Sequence, residues 1–64
     1  RLIDGGQDAR GYRFVGVPSS DGLRILVGCY YLQLADARAH WPEGSECRER
    51  VEMIARVAQI RGLI

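Results

Sequence analysis

Three side chains in this sequence could ligate a soft metal or form a thiol and imidazole pair: Cys29, His40 and Cys47. A structural zinc site takes four such ligands, usually with two cysteines a few residues apart, and these three are dispersed. The sequence therefore assigns no metal ligand. Nucleophilic catalysis by Cys29 and His40 would need an exposed thiolate beside the ring. Cys29 instead continues the alternation of Leu23, Ile25 and Val27, which predicts an inward side chain, while the helix period turns His40 outward. Asp4, Asp8, Asp21 and Asp36 each stand where a turn or a helix start explains them, so no carboxylate pair suggests acid and base work. The Gly5-Gly6 pair has neither the Walker spacing nor a Gly-x-Gly-x-x-Gly pattern. No catalytic residue and no cofactor is assigned.

Binding chemistry is better represented. Arg10, Arg13, Arg24 and Tyr30, with Tyr12 and Tyr31 close by in sequence, are the ingredients of a surface that stacks on single-stranded nucleic acid. The charge balance argues against it as the leading reading: nine arginines and no lysine meet eight carboxylates, for a formal net charge of +1. A domain that lives by phosphate neutralisation carries a clear basic excess. The other surface belongs to the C-terminal segment. At helical spacing Cys47, Val51, Ile54, Ala55 and Ala58 form one apolar stripe, and Met53, Val57 and Ile60 form a second. Together they spread over roughly 220° of the circumference, more than a small hairpin can cover. Arg50, Arg56 and Arg61 rim the second stripe, and methionine and arginine are enriched where proteins meet. Arg50, Met53, Arg56, Val57, Ile60 and Arg61 are thus the expected contact set for a protein partner or a second copy of the chain.

The elements that must position these residues follow from local chemistry. Residues 1–4 predict a short edge strand and Gly5 to Asp8 a loop. Tyr12 to Val17 has strand composition, with Tyr12 and Phe14 expected inward. Pro18 to Gly22 predicts the hairpin loop, and Leu23 to Cys29 the returning strand. The helix period from Leu34 to Trp41 places Leu34, Ala37 and Trp41 on one side, behind Gln33 as a poor N-cap, and Pro42 ends it. Ser45 caps a last helix running from Glu46 to about Arg61, stopped by Gly62, with Glu46–Arg50 and Glu52–Arg56 as expected i,i+4 pairs. The fold class is α+β: an antiparallel β-hairpin or three-stranded meander followed by two helices, in the order β-β-α-α.

A chain of 64 residues is a single domain, residues 1–64, and at this size it buries only about 60% of its unfolded surface. The first residue, Arg1, is not methionine, so a fragment of a longer chain or an incompletely ordered protein is expected. No apolar run reaches the length of a membrane span and no signal peptide opens the sequence, so no membrane association and a cytoplasmic location are expected. The two cysteines are expected as free thiols.

The pattern Gly6-x-Asp8-x-Arg10-Gly11-Tyr12-x-Phe14, then Gly28-Cys29, then Ala37-Arg38-x-His40-Trp41, resembles a small domain of phage and prophage proteins. That domain occurs as a short chain or behind pentapeptide repeats. Its members carry Thr at the helix N-cap and Glu three residues later, where this chain has Gln33 and Asp36. The resemblance implies a phage setting in a host cytosol, where small proteins inhibit host or defence machinery by binding it, and it implies no enzymatic activity.

Overall fold

The computed structural model describes residues 2–64. Its elements are β1 (Ile3–Gln7), β2 (Arg13–Ser19), β3 (Gly22–Val27), β4 (Tyr30–Gln33), α1 (Leu34–His40) and α2 (Glu46–Ile60). The four strands form one antiparallel meander in the order β1-β2-β3-β4, with both helices against the same face. The architecture is α+β, with a longer sheet than the hairpin or three strands expected. Arg1, the first residue of the expected edge strand, lies outside the described residues.

Alternation along the strands decides what is buried. Ile3, Phe14, Leu23, Ile25 and Val27 point at the helices and form the core with Ala37, Val51, Ile54 and Ala58. Across the sheet, Ile3 pairs with Gly16, Gly16 with Ile25 and Ile25 with Leu32, so one row of the buried face crosses all four strands. The opposite row, Asp4, Val15, Leu26 and Tyr31, belongs to a face on which no helix packs.

Gly5 and Gly6 are strand residues and not the expected loop. A Cβ on Gly5 would lie 2.6 Å from Cδ1 of Ile54, and one on Gly16 would strike Cγ2 of the same side chain. The two glycines therefore cut a notch in β1 and β2 that admits the fully buried Ile54 and lets α2 sit close to the sheet. Gly6 adopts φ +80° at the irregularity between Asp4 and Gln7, and its N–H donates to Oδ1 of Asp4 at 2.8 Å. Here the left-handed tolerance of glycine serves a bulge, not a loop.

Three further expectations change. Pro18 and Ser19 continue β2, and the turn shrinks to Ser20 and Asp21, because Ser19 pairs with Gly22. Pro18 lies beyond Gly16, the last described β1 partner on β2. Cys29 is exposed and not inward, since β3 ends at Val27 and Gly28-Cys29 forms a two-residue turn into β4. Tyr12 precedes β2 and is 50% exposed, while Phe14 is inward as expected. α1 stops at His40, Trp41 is its C-cap, and Trp41 packs on Phe14 with ring centroids 5.5 Å apart.

Candidate functional site

The C-terminal helix is held at both ends by groups its own sequence supplies. Ser45 Oγ accepts the Arg48 N–H at 3.2 Å and donates to the Pro42 carbonyl at 2.7 Å. Glu46 and Glu49 in the first turn complement the dipole. At the other end Gly62 takes φ +76°, its N–H reaches the Gln59 carbonyl at 3.1 Å, and the Leu63 N–H reaches the Ala58 carbonyl at 2.8 Å. That is the Schellman arrangement, and it folds Leu63 back onto the core.

With Ile54 seated in the glycine notch, the rest of α2 is fixed in rotation. Val51, Ile54, Ala55 and Ala58 are buried and Cys47 is half-buried. Met53 remains 47% exposed and Ile60 76% exposed. Of the six expected contact residues, Met53, Arg56, Ile60 and Arg61 lie on the open surface. Val57 is half-buried against the core instead of standing free, and Arg50 leans over β1, its Nη1 3.5 Å from the Gly5 carbonyl and its Nε buried without a partner.

Charge on the helix is unevenly used. Glu52 does not pair with Arg56 as expected: it accepts from Arg38 of α1 at 2.8 Å and from Arg48 at 2.8 Å. Those guanidinium groups, Arg38 first, hold its carboxyl down at about 2. Arg48 also donates to the Arg38 and Trp41 carbonyls, tying the end of α1 to α2. The expected Glu46–Arg50 pair is present but loose, at 3.6 Å. Among the described residues Arg56, Arg61 and Glu49 form no ion pair, and all three are exposed.

A second feature lies at the far end of the sheet. Arg10, Tyr12, Val27, Gly28, Cys29, Tyr30, His40 and Trp41 line a cleft of about 200 Å³. The sequence separates these residues; the fold gathers them. The Gly28-Cys29 turn and the end of α1 meet there, with Tyr30 against His40 at 4.7 Å and His40 edge-on to Trp41 at 4.8 Å. On the other side Asp8, the one buried charged side chain among the described residues, accepts the N–H groups of Arg10 and Tyr12 and pairs with the Arg10 guanidinium at 2.9 Å. Burial alone would raise the Asp8 carboxyl, but those hydrogen bonds hold it below its ordinary value. Arg10 in turn lies over the Tyr12 ring, 5.0 Å from its centroid. Cys29 and His40 share this cleft although alternation and helix period were expected to separate them. No carboxylate lines it to orient the imidazole.

The nucleic-acid set is only partly assembled. Arg10 and Tyr30 meet in the cleft, whereas Arg13 and Arg24 stand on the open face of the sheet. Arg13 is paired with Asp4 at 2.9 Å, and Arg24 with Asp21 at 2.7 Å while lying over Tyr31. Each of the three arginines is thus neutralised within the chain. The described residues contain no cluster of three His, Cys, Asp or Glu side chains placed to hold a metal, and no helix among them is long and apolar enough to cross a membrane. No protein-family model, curated protein or solved structure matches the chain.

Proposed function

We propose that this chain is a non-catalytic protein-binding module that works through the outer face of α2. The observation that carries the reading is the joint exposure of Met53 and Ile60 beside Arg56 and Arg61. The other six described arginines are each paired with a carboxylate; these two are not. Apolar side chains ringed by unspent guanidinium groups are the composition of a recognition patch. In the phage setting that the sequence resemblance implies, such a module acts in the host cytosol by occupying a host or defence protein or by self-association. Met53→Asp and Ile60→Asp place a charge at the centre of the face and touch no core contact, unlike a change at half-buried Val57. Each is expected to abolish partner binding or self-association while the circular dichroism spectrum persists. Unchanged mass in solution together with unchanged binding refutes the reading.

A second reading rests on the cleft, where Arg10 and Tyr30 meet beside Tyr12 and Trp41. Base stacking there makes the chain an accessory for single-stranded nucleic acid. Trp41 is the sole tryptophan, so its emission should respond to a titrated oligonucleotide, with affinity falling as salt rises and with Tyr30→Ala removing the response. A flat titration ends this reading.

A further inference from the structure

From the charge pattern on α2 we infer that the occupant of its outer face is a second copy of the same helix, laid antiparallel across a two-fold axis beside Met53. This rests on the reading of α2 as a protein-contact face and names the partner. At 100° per residue, Glu49, Met53, Arg56 and Ile60 fall within about 60° of one another. They are therefore one narrow line down the exposed side, opposite the buried Val51 and Ala58. In height Met53 sits midway between Glu49 and Arg56. A two-fold axis beside Met53, facing the line from Glu49 to Arg56, brings Glu49 of each copy to the height of Arg56 of the other, to within about 1.5 Å along the helix, with both within about 10° of the seam's midline. The two charges left without an in-chain partner on this line are thus satisfied twice over.

The orientation is selected by the same charges. A parallel pair sets Glu49 against Glu49 and Arg56 against Arg56, and like charges across a helix interface repel. In the antiparallel pair the two Met53 side chains flank the axis at the centre, and Ile60 lies along the methylene stem of Glu46 of the second copy. Polarizable Met53 suits a seat that must accept its own copy. Stable dimers bury about 800 Å² on each partner. Four turns of one helix offer less than that, so the association is weak and concentration-dependent.

The test is a charge exchange followed by sedimentation velocity on the full chain, from micromolar to millimolar concentration. The parent chain is expected to show a monomer and dimer equilibrium. Glu49→Arg and Arg56→Glu, each alone, turn both cross pairs into repulsions and should weaken the dimer roughly tenfold or more. An equimolar mixture of these two variants should restore it as a heterodimer, and the double variant E49R/R56E should restore it as a homodimer. That rescue shows that the singles are folded. A chain that is monomeric throughout, or a dimer indifferent to both reversals, overturns the inference. In either case Met53→Asp separates the outcomes: if it still abolishes capture of another protein, the contact face stands and only self-pairing falls.

Discussion

Seating Ile54 between two glycines makes a prediction at the level of single atoms. A Cβ on Gly5 would lie 2.6 Å from Cδ1 and 2.8 Å from Cγ1 of Ile54, and one on Gly16 would meet Cγ2 of Ile54 and stand 3.2 Å from Cβ of Ile3. Neither glycine has a positive φ, so alanine is excluded by packing and not by backbone. Gly5→Ala or Gly16→Ala should each cost about 1–3 kcal/mol, the usual penalty of an overfilled core. For a domain this small, each kcal/mol lowers the melting temperature by about 4–8 °C. Ile54→Val alone should cost about 0.5–1.5 kcal/mol, because it deletes only Cδ1. The combinations discriminate. Gly5→Ala with Ile54→Val should cost less than the sum by about 0.5 kcal/mol, a partial relief, since Cδ1 is gone but Cγ1 remains 2.8 Å from the added methyl. Gly16→Ala with Ile54→Val should add to within about 0.5 kcal/mol, since Cγ2 remains. Urea unfolding followed by circular dichroism measures all of these variants against the parent. A neutral Gly5→Ala, or strict additivity in the first combination, would show that the notch does not set the height of α2 above the sheet.

Two other consequences are open to measurement. Glu52, with its carboxyl held at about 2 against an ordinary 4.5 by Arg38 of α1 and Arg48 of α2, contributes stability that is fully present above about pH 4.5 and is lost as the pH falls toward 2. Glu52→Gln should therefore lower stability at neutral pH and flatten its decline in acid, and an unchanged acid limb would deny the Arg38–Glu52–Arg48 link. The two thiols should also react in separate phases. Exposed Cys29 is expected to label fast, whereas burial raises the Cys47 thiol and slows it. Cys29→Ser should remove the fast phase alone, and a single slow phase in the parent would place Cys29 back in the core.

The parts of the fold that were legible in the sequence are those decided by local chemistry. Ser45 and Gly62 bracket α2 because capping is settled within a few residues, and Leu23, Ile25 and Val27 alternate because one face of β3 is wet and the other dry. The parts that were not legible depend on what arrives from elsewhere. Gly5 and Gly6 have loop propensity, yet α2 needs the missing Cβ atoms, so tertiary packing overrides it. β4 is only Tyr30–Gln33 and passes into α1 without a breaker, leaving no punctuation to mark a strand. For Cys29 the signal was present: Gly28, at φ +55°, stands where a tight hairpin turn wants its glycine. Reading the alternation two residues past the strand end carried the thiol to the wrong face. The exposed apolar residues of α2 were legible as an excess on that helix, but the cleft was not, because its walls come from three separated segments.

That excess follows from the core itself. An amphipathic helix with an over-wide apolar arc can ordinarily roll to hide most of it, trading one flank for the other. α2 cannot roll, since Ile54 is keyed to Gly5 and Gly16 on adjacent strands, and on the opposite flank Arg38 of α1 grips Glu52 while Arg48 holds the Arg38 and Trp41 carbonyls. A rotation toward the sheet that sheltered Met53 would lift Ile54 from the notch and break the Arg38–Glu52 ion pair between the helices. Exposure of Met53 and Ile60 is in this sense enforced by the best-packed part of the molecule. A substitution that fills the notch should therefore alter binding at the outer face even though no notch residue touches it, whereas a change confined to Met53 should leave the unfolding transition in place.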